Sequence, residues 1–336
     1  MAVLRAPPPR RKACERCMKG KRRCDLQRPS CGRCRDGSWS CTYSPPDAGK
    51  LDSPNTTKSA PAPLVDKAEV KFEPVTYPPQ DFAQEVRLPP QRLTYCATKL
   101  QESTVEMAKG VETFFIKPMS SRTQLPRPLQ DAFVACSLHL STTDSNSHFV
   151  RHVLLETYSA YLSAEEDLDF EAELAKVQAA VLLHIPLLFD GDIRYRSLAE
   201  SYIDTLREKV LHLQRRDAAE MPEHIRSSRY ARWLFMESVR RTIITSTFVE
   251  CIYVNLRDGV SNTVPFLAML PLTVAGRLWR ANSEEEWERL SKVVPLTILP
   301  YGEALGWWRD EALQHSLDTL QHLLYVACKG FTDAHA

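Results

Sequence analysis

Six cysteines crowd into 28 residues near the amino terminus: Cys14, Cys17, Cys24, Cys31, Cys34 and Cys41. The gaps between them hold two, six, six, two and six residues, so the last three repeat the first three at a constant offset of 17. Two CxxC pairs at matched spacing point to zinc, because each pair sets two thiolates close enough to grip one ion and a third follows after a short gap. Two tetrahedral ions need eight ligand positions, and six thiolates fill eight only if two of them bridge both metals. No His lies between Cys14 and Cys41 to supply the difference. The repeat points to its equivalent first members, Cys14 and Cys31, as the bridges. One ion then takes Cys14, Cys17, Cys24 and Cys31, and the other takes Cys31, Cys34, Cys41 and Cys14. Three disulfides or an iron–sulfur cluster are the competing uses. The opening MAVLRAPPPRRK lacks the apolar stretch of a secretory signal, which argues against an oxidised, exported domain. An iron–sulfur cluster leaves two thiols without a task. So short a stretch buries no real core, so the metal has to supply the folding energy.

The chain is nearly neutral, with a formal net charge of +1, and this conceals a strong asymmetry. Residues 1–43 carry twelve Lys or Arg against three Asp or Glu, a net of +9, while the remaining residues carry 31 against 39, a net of −8. A small basic unit suits a polyanion. Its charges concentrate between the second and third cysteines, in Met18-Lys19-Gly20-Lys21-Arg22-Arg23. A helix starting near Cys14 or Glu15 would carry them, with its end pinned at Cys24. On DNA, phosphate contacts position a protein and base-edge contacts specify the sequence, and lysine can donate to O6 and N7 of guanine in the major groove.

Residues 13–43, ACERCMKGKRRCDLQRPSCGRCRDGSWSCTY, resemble the DNA-binding domain of fungal Zn2Cys6 binuclear-cluster transcription factors. The match includes Lys21 four residues after the second ligand, Arg23 before the third, Asp25 after it, and Pro29 between the halves. The resemblance implies two short helices around two zinc ions and binding to double-stranded DNA. It also implies a nuclear location and regulation of genes read by RNA polymerase II. It casts Lys21 as the reader of a CGG-type triplet, with Lys19, Arg22 and Arg23 as phosphate contacts or helix supports. Met18 stands where the family usually has Arg, and Gly20 where it often has Arg or Lys. Those departures lower the expected number of phosphate contacts without touching the metal site, and leave room for a rival reading, a protein-interaction regulator whose zinc domain binds DNA weakly or not at all. Family members often lie beside gene clusters for secondary metabolism or sugar use, and no residue here chooses among them.

The expected organisation is a basic tail over 1–12, the zinc domain over 13–43, a disordered linker over 44–90 and an all-α regulatory domain over 91–336. Ten prolines fall in 44–90, among Ser, Thr, Lys and Asp, which is linker composition. No sustained heptad follows the zinc domain, so dimerisation through the carboxyl-terminal region and binding as a monomer both stay open. Beyond residue 91 the apolar period is helical, over 93–109, 147–162, 169–189 with a kink or a shortened last turn at Pro186, and 193–214. A long helix fits between Pro222 and Gly259. A resemblance over 165–260 to the regulatory domain of the same regulators implies contacts with co-regulators or the transcription machinery. Glu237, Arg240 and Arg241, three and four residues apart, read as an ion bridge anchoring neighbouring helices.

Other signals are weaker. His148, His152 and Glu156 share a helical stripe, but on an ordinary amphipathic helix. Cys96, Cys136, Cys251 and Cys328 read as small core residues. The uncharged run 259–276 is broken by Pro265 and Pro271, so no membrane span is expected there. Trp307 to Leu323 alternates acidic and apolar residues, as a last core helix or an exposed recruiting helix would. No GxGxxG, P-loop or GxSxG element supports an enzyme.

Overall fold

The computed structural model describes residues 13–27, 30–37, 39–42, 86–117, 125–163, 168–308 and 316–330. The basic tail 1–12, Pro29 and all of the expected linker up to residue 85 lie outside the described residues. The chain divides into two compact units, one within residues 1–67 and one within 68–336.

Among its described residues the first unit holds two five-residue helices, α1 (Glu15–Lys19) and α2 (Gly32–Asp36). Its buried interior is made of cysteines, Cys14, Cys17, Cys31 and Cys34, with Ala13, Cys24 and Cys41 packed against them. Helices this short do not persist alone, so their stability has to come from what the cysteines hold.

The second unit is built on two buried helices. α6 (Phe170–Phe189) is apolar almost all round and packs against α3 (Pro90–Ala108), α4 (Arg127–Leu140), α5 (Ser147–Ser163), α7 (Ile193–Ser201) and α8 (Ile203–Arg215). Asp169 caps it, its carboxylate accepting from the Ala172 N–H at 2.8 Å. α6 is long and apolar enough to cross a bilayer by length and composition, but that stretch is 83% buried inside the fold. The helix includes Pro186 in its last turn and ends at Phe189, where the expected span ends. After the four-residue α9 (Glu223–Arg226), the 30-residue α10 (Arg229–Asp258) crosses α6, capped by Ser228 and closed at Gly259, whose φ of +76° suits glycine. Short helices α11 (Val264–Met269), α12 (Gly276–Trp279), α13 (Glu284–Ser291) and α14 (Tyr301–Trp307) follow, and α15 (Thr319–Lys329) closes the described chain.

Three findings correct the sequence reading of this unit. The helix expected over 193–214 breaks at Tyr202, where α7 ends and α8 begins without a proline or glycine to signal it. A two-stranded antiparallel ribbon joins β1 (Pro271–Thr273) to β2 (Ile298–Pro300), strands of three residues being too short to show alternation. Residues 86–90, assigned to the linker, already join this unit: Val86 bridges Ser261, the Leu88 N–H donates to Asn255 Oδ1 at 3.1 Å, and Pro90 starts α3.

The Glu237 cluster is the fold's buried tie. The Glu237 carboxylate accepts from Arg240 Nε at 3.0 Å, Arg241 Nε at 2.9 Å and Thr273 Oγ1 at 2.5 Å. Arg241 also donates to the Phe114 carbonyl at 3.0 Å, pairs with Asp318 and lies 4.2 Å over the Trp279 ring. Asp318 in turn caps α15, and Gln321 donates to the Thr273 carbonyl at 2.7 Å. One ionic cluster thus joins α10, the loop after α3, β1 and α15. Burial pushes the Glu237 carboxyl up, but the guanidiniums of Arg240 and Arg241 overcome it and hold it below the usual range.

Leu320 and Leu323 are buried, so α15 is a core helix; Leu313 and the acidic residues Asp310 and Glu311 lie outside the described residues. Cys96, Cys136 and Cys251 are core residues whose thiols burial pushes up to about 12, which keeps them protonated. Cys328 differs, standing exposed near the end of α15.

Candidate metal centre and nucleic-acid interface

The two halves of the first unit repeat each other in backbone as well as in sequence. Cys14 (φ −63°, ψ 152°) and Cys31 (φ −67°, ψ 151°) precede α1 and α2, and Gly20 and Gly37 end them with ψ near zero. The Arg22 N–H returns to the Cys17 carbonyl at 2.9 Å and the Trp39 N–H to the Cys34 carbonyl at 2.8 Å. Each helix start is closed by the other half: the Glu15 N–H donates to the Thr42 carbonyl at 2.8 Å, and the Gly32 N–H to Asp25 Oδ2 at 3.0 Å. These partners are themselves one repeat apart. The interlock makes the two helices a single unit.

That interlock brings the six thiols together in two overlapping sets. Cys14, Cys17, Cys24 and Cys31 lie within 4.8 Å of one another, as do Cys14, Cys31, Cys34 and Cys41. Cys14 and Cys31 belong to both sets. The Sγ–Sγ distances Cys14–Cys31, Cys14–Cys34 and Cys17–Cys31 are each 3.8 Å. A tetrahedron of thiolates at the usual zinc–sulfur length of about 2.3 Å has edges of roughly 3.8 Å. Disulfides would need sulfurs about 2.05 Å apart, and the cysteines are free. The donor set therefore fits two zinc ions. Without metal the thiols oppose one another: the Cys17 N–H pulls Cys14 down to about 6, while its bond to Cys14 pushes Cys17 up to about 12. Metal uptake must therefore release protons, and affinity falls as pH falls. Among the described residues, His148, His152 and Glu156 do not form such a cluster.

Lys19 lies in the last turn of α1, and Lys21, Arg22 and Arg23 follow it; all four are exposed. Lys21 sits at φ +49°, a left-handed conformation that costs a non-glycine residue on the order of 1 kcal/mol. The turn is held by the Lys21 N–H to the Met18 carbonyl at 3.1 Å and by the Arg22 return bond. Sequence reasoning missed the Arg16 guanidinium, stacked 4.3 Å over the Trp39 ring so that α1 is tied to the second half. A Cβ on Gly37 would come within 2.7 Å of that ring, so glycine lets the indole close over the turn. Comparing positions one repeat apart does not reveal this stack, because Arg22 stands where Trp39 would be repeated.

Two interlocked halves, six thiols in two shared tetrahedra and a basic segment after the first helix define a binuclear metal–thiolate module. Residues 12–50 match the family model described as the fungal Zn(2)-Cys(6) binuclear cluster domain, and this module belongs to that family of two-zinc domains. The chain is also similar to a "Transcription factor gsfR2" of Penicillium aethiopicum, 29% identical over 259 residues that cover 71% of this chain and 60% of that protein. It therefore spans less than two thirds of that relative's length. No solved structure matches the chain.

Proposed function

We propose that the chain is a nuclear, sequence-specific DNA-binding regulator of RNA polymerase II transcription, with Lys21 reading a CGG-type triplet in the major groove. Cys14, Cys17, Cys24 and Cys31 hold one zinc ion, and Cys14, Cys31, Cys34 and Cys41 the other. Bound zinc supplies the folding energy and fixed geometry that so small a module lacks. The helical unit is the regulatory part, contacting co-regulators or the transcription machinery.

The observation that carries the reading is where the pseudo-twofold fails. Lys19, Lys21, Arg22 and Arg23 of the first half correspond to Asp36, Ser38, Trp39 and Ser40 of the second. Both helices end at a glycine and are followed by the same return bond, yet at these four positions the first copy carries four cations and the second none, its Arg33 and Arg35 lying earlier, within α2. A metal site alone needs no such difference, whereas a module that presents one helix end to a polyanion does. Met18 is exposed and uncharged, which trims the phosphate contacts without touching the thiols.

Base and phosphate roles separate by titration on CGG-containing and random duplexes. Lys21→Ala is expected to cost about 1–3 kcal/mol on the CGG site and far less on random DNA. Arg22→Ala and Lys19→Ala are expected to weaken both alike and to flatten the salt dependence by about one unit of slope. Equal behaviour of all three variants on both duplexes would contradict the role given to Lys21. Absence of any binding by the zinc-loaded protein would favour a protein-interaction role for the module.

A further inference from the structure

On the DNA-binding reading above, we propose that Arg22 and Arg33, one from each half of the zinc module, clamp a single phosphate of the DNA backbone, so that α2 as well as the segment after α1 contacts the duplex. The repeat that relates Trp39 to Arg22 also relates Arg16 to Arg33, each pair 17 residues apart. In the first arrangement the Trp39 indole lies over Gly37 and reaches the Arg16 guanidinium at 4.3 Å. In the second, the Arg22 N–H makes the return bond that Trp39 makes, to the Cys17 carbonyl at 2.9 Å where Trp39 uses Cys34 at 2.8 Å. The Arg22 stem then follows the course of the indole over the glycine that ends its helix: its Cγ lies 3.8 Å from where a Cβ on Gly20 would sit. Arg33 stands on α2 where Arg16 stands on α1, one residue before a buried cysteine. One seam between the halves is therefore closed by a cation on a ring. The equivalent seam is faced by two guanidiniums and holds no ring.

Among the described residues neither Arg22 nor Arg33 forms an ion pair or a guanidinium hydrogen bond, and both are exposed. Asp36, three residues beyond Arg33, does not pair with it. Asp25 is committed elsewhere, its carboxylate accepting from the Gln27 N–H at 3.3 Å and the Gly32 N–H at 3.0 Å. Two guanidiniums facing one seam repel, and an anion between them turns that repulsion into charge-assisted hydrogen bonds. The planar fork of arginine matches phosphate oxygens two at a time. The anion is a DNA phosphate because Arg22 directly follows Lys21: a duplex that brings a base edge to Lys21 brings its backbone to the neighbouring seam. A phosphate gripped from both halves positions the whole module on the duplex, where contacts after α1 alone would position one half.

Titration of CGG-containing and random duplexes over a range of salt, with the zinc-loaded full-length protein, tests the clamp. Arg33→Gln keeps the stem and removes the charge. It is expected to weaken binding several-fold on both duplexes and to lower the salt slope by about one unit. Arg33→Lys should keep the slope and recover only part of the affinity, since an ammonium cannot grip two oxygens at once. Arg22→Ala/Arg33→Gln should bind within about twofold of the weaker single variant, because losing either arginine opens the clamp. Arg35→Gln should leave affinity and slope unchanged, its guanidinium lying beside Gly32 and Asp25 instead. Native mass spectrometry should count two zinc ions in every variant, which separates a lost contact from a lost fold. Wild-type affinity and slope in Arg33→Gln would overturn the clamp, as would zinc loss from that variant, an equal effect of Arg35→Gln, or Arg22 and Arg33 effects that simply multiply. Should Lys21→Ala bind the CGG duplex like the wild type while Arg33→Gln behaves as expected, the base-reading role fails and the clamp stands; a zinc-loaded wild type without DNA affinity sinks both.

Discussion

Cys14→Ala is expected to cost the protein both zinc ions rather than one. Cys14 belongs to both thiol sets, is fully buried, and lies 3.8 Å from both Cys31 and Cys34. Removing it leaves two three-thiol sites that still share Cys31. Among the described residues of the first unit the buried side chains are the cysteines themselves, so nothing there stands in for the metal. Structural zinc contributes on the order of 10–16 kcal/mol to folding a small module, far more than two five-residue helices can replace. α1 and α2 should therefore unfold together, and DNA binding should vanish. The helical unit should melt as before. Native mass spectrometry counts the metal directly: two ions for the wild type and none for Cys14→Ala. A variant that keeps two ions contradicts the shared role of Cys14.

The second large effect is expected in the helical unit, from Glu237→Gln. Glu237 is wholly buried and is the shared acceptor for Arg240, Arg241 and Thr273. The glutamine keeps the shape but removes the charge that balances two buried guanidiniums, and its amide presents a donor where one of them donates. Breaking a buried pair in this way costs about 3–5 kcal/mol. For a domain of this size that corresponds to a melting temperature lowered by roughly 10 °C. The pH dependence follows from the same charge. The folded Glu237 carboxyl lies below its ordinary value, so its contribution is complete above the unfolded pKa. It is lost as pH falls through the folded value, and Glu237→Gln should remove that part of the acid sensitivity. Thermal unfolding followed by circular dichroism across acidic pH measures both; an unchanged melting temperature would show that the cluster does not tie the fold together.

The two effects differ in how much of each could be read from sequence. The metal centre was legible because its chemistry is written in one residue type at a fixed offset, and ligand counting identified the shared thiols. Lys21 was legible as a candidate through charge and position. Its left-handed backbone was not, since nothing in Gly20-Lys21-Arg22 marks which residue takes the positive φ. The long helices followed from the apolar period because each buries a continuous face. The Glu237–Arg240–Arg241 bridge was visible as helix spacing, whereas its far end, Asp318, lies 77 residues from Arg241 and carries no local signal. The break at Tyr202 and the three-residue ribbon were hidden for the same reason: packing sets them, against a sequence that shows no turn residue or alternation. Arg16 and Trp39 escaped because a stack between halves has no spacing rule.

The central claim is that a two-zinc cluster presents Lys21 to DNA as a base reader. Selection of bound sites from a random double-stranded library, using the zinc-loaded full-length protein and its Lys21→Ala variant, tests it most directly. The expected result is strong enrichment of a CGG-type triplet by the wild type, lost or relaxed in the variant while both ions stay bound. Recovery of unenriched DNA by a wild-type protein carrying two zinc ions, or the same triplet from both proteins, would contradict it.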